Sequence, residues 1–288
     1  MLPDATLRHL QEVAEMPHFA SDRYINLRRV GSGGMGTVFC ADDTLLGRKV
    51  AIKVVAADAA APEAQTIAAL EHPGVVPVHD RGTLDDGRTW YAMKFVDGRT
   101  LEEIRDTTPL PRLLQIVRQT SDAVAFAHAH GVVHRDLKPS NIMVGAFGET
   151  LVMDWGVACA IGDANARAAG TKGYAAPEQL QGAVPNPRSD VYSLGCVLRS
   201  VILSGAAAPP PPLSSIIAKA TANDPAKRYE TAAAFTADLI RFTDGLAVEA
   251  HRENVFEIAQ RWLANNRAIA ALVAAYVVMR IVTFFITR

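Results

Sequence analysis

The chain has 288 residues, 49% of them hydrophobic, and a formal net charge of −1. That balance implies no nucleic-acid or polyanion partner, while the length suffices for one two-lobed domain or two small ones. Cys40, Cys159 and Cys196 are scattered without a C-x-x-C pair, which argues against a cysteine metal site and fits a reduced cytoplasmic setting.

In chain order, Met1 to Met16 has no apolar core of the signal-peptide kind. Residues 4–16 read as a short helix capped by Asp4, with Leu7, Leu10 and Ala14 on one face. Tyr24 to Val30 alternates as a strand and runs into Gly31-Ser32-Gly33-Gly34-Met35-Gly36. Such glycines let backbone N–H groups approach phosphates without Cβ obstruction. The β-prone Thr37-Val38-Phe39-Cys40 follows, so the run predicts a hairpin rather than the strand-to-helix turn of a dinucleotide-binding fold. Val50-Ala51-Ile52-Lys53 is the next strand. A helix runs from Glu63 towards His72-Pro73, cut short at its start by Pro62. Val75 to Val78 and Thr89 to Met93 read as two more strands, joined by the turn Asp85-Asp86-Gly87, which completes five.

Thr100 to Ile104 opens a helical half. Leu113 to His130 carries apolar residues at helical spacing and reads as the central helix, with His128 and His130 as surface or cap residues. Then comes His134-Arg135-Asp136-Leu137-Lys138-Pro139-Ser140-Asn141 before the apolar Ile142-Met143-Val144. Phosphoryl transfer to a hydroxyl needs a carboxylate to orient the hydroxyl and take its proton, a cation to neutralise the phosphoryl group, and an oxygen to hold a metal. Asp136, Lys138 and Asn141 meet those needs if the loop folds back. Helices at 213–222 and 230–242 close the domain near Gly245, after a proline-rich loop between Gly205 and Ala218.

The eight residues from His134 resemble the catalytic loop of protein kinases, with Lys138-Pro139 marking the serine/threonine branch. Other motifs follow in the same family's order. Gly31 to Gly36 resembles its glycine-rich loop, Val50 to Lys53 its V-A-I-K strand, and Asp154-Trp155-Gly156 its D-F-G, with Trp for Phe. Gly170 to Glu178 resembles its G-T-x-x-Y-x-A-P-E segment. The chain is identified as similar to bacterial eukaryotic-like (Hanks-type) serine/threonine kinases over about residues 24–243. The resemblance implies an α+β, two-lobed fold with a five-stranded small lobe and a mainly helical large lobe. It implies ATP and Mg²⁺ as cofactors, with Mn²⁺ as a substitute, and protein substrates.

Carried over residue by residue, the resemblance makes Asp136 the base, Lys138 the phosphoryl-stabilising cation, and Lys53–Glu63 the pair that positions ATP. Glu71 competes for that pairing but lies beside the helix end. Gly31, Ser32, Gly33, Gly34, Met35, Gly36, Val38, Ala51, Lys53, Met93, Lys94, Val96 and Met143 would line the nucleotide site. Met93 is the gatekeeper, Lys94 to Val96 the hinge, and Met143 the floor under adenine. Asn141 and Asp154 would hold metal. Trp155 is expected against Ile67, Val78 and His134. Thr171 would bond Asp136 and Lys138, Glu178 would pair with Arg228, and Asp190 would brace the catalytic-loop backbone. Two departures stand out: the short first helix, and the proline-rich stretch where the family usually carries a docking helix. They support an alternative, a pseudokinase acting as a nucleotide-binding scaffold, although Lys53, Asp136 and Asp154 are all present. Arg135 usually signals an activation loop that is phosphorylated, yet residues 157–170 contain no Ser, Thr or Tyr. Activity is therefore expected not to depend on phosphorylation there, with Asp163 as a candidate fixed charge.

Ala268 to Ile286 is nineteen residues, about 28 Å as a helix, which matches the hydrocarbon core of a bilayer. Ten of them are Leu, Ile, Val or Phe, and Arg280 is off-centre, where it can snorkel. The expected plan is an N-terminal arm (1–22), small lobe and hinge (23–96), helical lobe (97–245), juxtamembrane segment (246–267) and transmembrane helix (268–286). It gives a single-pass tail anchor in the cytoplasmic (inner) membrane, the kinase domain in the cytoplasm, and no external sensor domain. Ala270/Ala274 and Ala271/Ala275 have small-xxx-small spacing that suits a homodimer.

Overall fold

The computed structural model describes residues 16–19, 22–33, 36–55, 60–203 and 209–286. The expected N-terminal helix, apart from Met16, lies outside them, as do Gly34 and Met35. The small lobe is one five-stranded antiparallel sheet in the order β1-β2-β3-β5-β4, with β1 Tyr24–Gly33, β2 Gly36–Asp43, β3 Arg48–Val55, β4 Val78–Thr83 and β5 Thr89–Lys94. The described residues of the glycine-rich run end β1 and begin β2, with Gly33 opposite Gly36. Gly36 has φ 123°, and a β-carbon there would strike the Val54 carbonyl and Val55, so no other residue fits without a shift. Helix α1, Ala60–Ala68, packs against the sheet with Ala64 and Ile67 buried. On the opposite side of the sheet, Phe39, Ile52 and Ala92 form a second core, against which Met16, Phe19 and Trp90 pack.

The expected strand at Val75–Val78 is displaced. Only Val78 belongs to β4, because Pro77 has no N–H to donate to a ladder. Val75 and Val76 are buried instead, and Val75 bridges Val152 in parallel register, which ties the lobes together.

Beyond β6 (Gly98–Thr100), α2 Leu101–Ile104 is started by a capping box between Thr100 and Glu103. Helix α3, Leu110–Ala129, buries Leu113, Ile116, Val117, Val124 and Ala127 and is the central helix of the large lobe. Short strands follow: β7 Val132–Val133, β8 Ile142–Gly145, β9 Thr150–Val152 and β10 Cys159–Ala160. Then come α4 Pro177–Leu180, α5 Pro187–Leu203, α6 Pro211–Ala220 and α7 Ala232–Thr243. The proline-rich stretch is thus less of a loop than its composition suggests. Pro210 caps α6, and Pro211 and Pro212 occupy its first turn, where a missing N–H costs nothing. The lobe also extends past Gly245. Val248 is buried in the core, and the Glu249 and Ala250 N–H groups both donate to the Asp238 carboxylate. Two further helices, α8 Val255–Asn265 and α9 Arg267–Ile286, follow.

Candidate functional site

Helix α1 is short, yet Glu63 stands in its first turn and accepts a 2.8 Å hydrogen bond from Lys53 Nζ. Lys53 also reaches Asp154 Oδ1 at 2.7 Å. Burial alone would lower the Lys53 pKa, but the two carboxylates outweigh it and hold the ammonium above its ordinary value. Glu63 Oε1 has a second donor that motif reading missed, the Tyr91 hydroxyl at 2.8 Å. Tyr91 sits directly across from Lys53 in the β3–β5 ladder, so both project toward the same carboxylate. Glu71 makes no such pairing and is exposed.

The His134–Asn141 loop folds back on itself, which brings its polar side chains together. Lys138 Nζ lies 2.8 Å from Asp136 Oδ2, and Asn141 Nδ2 donates to the Asp136 carbonyl at 2.8 Å. Thr171 Oγ1 donates to Asp136 Oδ1 at 2.7 Å and accepts from Lys138 at 2.8 Å. Arg135 has φ 71°, a costly conformation for a non-glycine residue. Asp190, fully buried near the start of α5, holds it there. Its carboxylate accepts the His134 and Arg135 N–H groups at 2.8 and 2.9 Å. Burial raises the Asp190 pKa, but donors including His128 override it and leave the carboxylate below its usual range. His128 is therefore no surface residue. Its ring Nε2 donates to Asp190 Oδ2 at 2.8 Å. Fully buried His134 is kept neutral by desolvation. Its Nδ1 accepts the Asp136 N–H, and Nε2 donates to the Met153 carbonyl, joining the catalytic loop to the segment that carries Asp154.

Asp154 also has a left-handed backbone, φ 59°. Trp155 behind it is 0% exposed, lies 4.5 Å from the His134 ring centroid and shares one core with Ile67 and Val78. Its indole N–H donates to the Val152 carbonyl, so the larger ring is accommodated without an orphaned donor. Glu178 and Arg228 form a bidentate pair at 2.6 and 2.8 Å. Arg135 does not contact Asp163. Its guanidinium donates to the Val157 and Arg167 carbonyls and approaches Cys159 Sγ. Gln179, a residue the motifs did not flag, donates to the Arg135 and Ala169 carbonyls and so ties the loop to the segment before Thr171. Gly170, φ 106°, has no room for a β-carbon between Arg135 and Gln179.

The cleft walls come from the sheet register. Val38 faces Lys53, Ala51 faces Met93, and Met143 on β8 faces Thr100. Ala51, Met93 and Val96 are buried, while Val38, Lys94 and Met143 are half-buried. Lys94 directs its ammonium to Glu149 at 3.5 Å, away from a hinge that would use main chain. Among the described residues no group of three or more His, Cys, Asp or Glu could hold a metal. Asn141 and Asp154 supply oxygens alone, the hard donors that suit Mg²⁺, an ion that keeps waters and substrate phosphates as its remaining ligands.

A family model described as "Protein kinase domain" matches residues 24–240. Serine/threonine-protein kinase PknB of Mycolicibacterium smegmatis is 37% identical, with 81% of this chain and 45% of the relative covered. PknB of Mycobacterium tuberculosis is 38% identical with the same coverage, and PrkC of Bacillus subtilis 35% identical, covering 76% and 40%. The chain therefore spans less than half the length of these relatives. With that match and the site geometry, the chain belongs to the protein kinase domain family, in its bacterial Hanks-type serine/threonine branch.

Proposed function

We propose that this chain is an active serine/threonine protein kinase that transfers the ATP γ-phosphoryl group to protein hydroxyls. The observation that carries the reading is the closed set of contacts among Asp136, Lys138 and Thr171, formed together with the Lys53–Glu63 pair. Asp136 would orient the substrate hydroxyl and take its proton. Lys138, 2.8 Å from that carboxylate, would neutralise charge on the transferred group. Lys53, fixed by Glu63, would hold the nucleotide's phosphates, with the glycine-rich run over them. Asn141 and Asp154 would hold Mg²⁺, which when bound neutralises phosphate charge. The pseudokinase reading rested on the abridged regions. The part of that support drawn from the short α1 falls away, since α1 still delivers Glu63 to Lys53. The test is incubation of the purified chain with γ-labelled ATP, Mg²⁺ and a generic protein substrate. Label on Ser or Thr supports the proposal, and nucleotide binding without transfer refutes it.

Helix α9 is read as a membrane anchor. Ala268–Ile286 is long and apolar enough to cross a bilayer, and none of it is buried against the rest of the chain. A soluble helix of that composition would cover its apolar side chains. The kinase domain then lies on the cytoplasmic side, with ATP. Fractionation of the full chain and of a version ending at Arg267 tests this: only the first should sediment with membranes, and the reading fails if both stay in the supernatant. Pairing of two anchors through the alanine pairs is a further element of the proposal, tested by crosslinking within membranes.

A further inference from the structure

The segment between the kinase lobe and α9 is more than a tether. Helix α8 is closed at its start by a capping box between Asn254 and Glu257. At about 100° per residue, Val255, Phe256, Ile258, Ala259, Trp262 and Leu263 fall on one side, within an arc of roughly 160°. Glu257, Arg261 and Asn265 fall on the other, and that edge is engaged. Glu257 meets His251, which in turn meets Ser215 on α6. Arg261 forms a bidentate pair with Glu253 at 2.7 Å, and Asn265 donates to the Gly245 carbonyl. The polar edge is thus pinned to the end of the lobe while the apolar face looks outward. Phe256 is 87% exposed, Val255 79% and Trp262 49%. A soluble surface does not leave such a stripe bare without an occupant. The backbone leaves the helical region at Asn266, φ −123° and ψ 42°, so α8 and α9 are separate helices.

We infer that α8 lies in the headgroup layer of the membrane that α9 enters, with its apolar face toward lipid and its polar edge holding the kinase lobe at the surface. This rests on reading Ala268–Ile286 as a membrane span. The occupant follows from continuity: Asn266 alone separates α8 from α9, the helix that carries the span. A helix of strong two-sidedness suits the interface, and Trp262 is the residue type enriched there. Arg252 and Arg261 balance Glu253 and Glu257, so apolar burial rather than attraction to anionic lipid would hold it.

The test uses the full chain reconstituted in phosphatidylcholine vesicles carrying bromine on the upper acyl carbons. Flotation reports the anchor, and tryptophan quenching reports α8. The expected result is flotation with a quenched component of emission that is lost in Trp262→Phe, unchanged by high salt, and not restored when Ala264→Trp is added on the side opposite the apolar face. Flotation with no quenching at Trp262 would overturn the inference and leave the anchor standing. Failure of the chain to float would overturn both. Absence of quenching together with a doubled mass on crosslinking Leu263→Cys would assign the face to a second copy of the chain, and also overturns the inference.

Discussion

Tyr91 provides a sensitive probe of how a shortened α1 still forms the Lys53–Glu63 pair, which is proposed to position the nucleotide. Its hydroxyl donates to Glu63 Oε1 at 2.8 Å, the same oxygen that receives Lys53. Tyr91 is 1% exposed, so no water can replace the bond in Tyr91→Phe. A hydrogen bond to a charged group contributes roughly 1.5–3 kcal/mol, and about 1.4 kcal/mol is tenfold in rate. The cost should fall at the low end, because Lys53 still holds the carboxylate. Tyr91→Phe is therefore expected to lower kcat/KM for ATP by about tenfold, mainly through KM, with a fall in Tm of only a few degrees. Glu63→Gln, which also strips Lys53 of its charge partner, should lose about 10²-fold or more. Steady-state phosphorylation at varied ATP, with thermal unfolding in parallel, measures both. Wild-type kinetics for Tyr91→Phe alongside a large loss for Glu63→Gln would show that Lys53 alone fixes Glu63, and would refute the reasoning.

Other outcomes follow from the same contacts. Because carbonyls of Val157 and Arg167 already occupy the Arg135 guanidinium, phosphatase-treated enzyme should keep its rate; a large loss restored by autophosphorylation within 157–178 would contradict this. Trp155→Phe should retain activity and lose stability, by about 1–3 kcal/mol for the smaller ring and the lost indole hydrogen bond, read from chemical denaturation. Burial pushes the Glu178 carboxyl up, but the bond from Arg228 outweighs it, so its pKa in the folded chain lies below the ordinary 4.5. Its contribution is then fully present above pH 4.5 and lost as pH falls through the lower folded value. Glu178→Ala should cost on the order of 3–5 kcal/mol at neutral pH, since it leaves Arg228 buried and unpaired, and the gap from wild type should narrow only in acid. A gap that is constant down to pH 3, well below that ordinary value, would refute the assignment.

The parts of the site legible in the sequence are those carried by local spacing. Asp136, Lys138 and Asn141 sit within eight consecutive residues, and only nine residues separate Lys53 from Glu63 in the chain. Partners fixed by sheet register or by long-range packing are not legible in this way. Tyr91 reads as one more apolar strand residue until the β3–β5 ladder places it opposite Lys53. His128 reads as the polar end of a helix until α5 brings Asp190 beneath it. Val75 and Val76 have the composition of a strand, but Pro77 denies them a ladder and burial decides their place. The α8 stripe shows at helical spacing, yet its bare face and pinned edge depend on where the lobe ends, at His251 rather than Gly245.

The most direct test of phosphoryl transfer by this site is a single-turnover comparison of the purified chain with Asp136→Asn, using saturating Mg-ATP and a generic protein substrate. Asn keeps the shape of the side chain and a Thr171 partner but cannot accept the hydroxyl proton. The account predicts a fall of about 10²-fold or more with nucleotide binding and Tm preserved. Transfer at the wild-type rate by Asp136→Asn would contradict it.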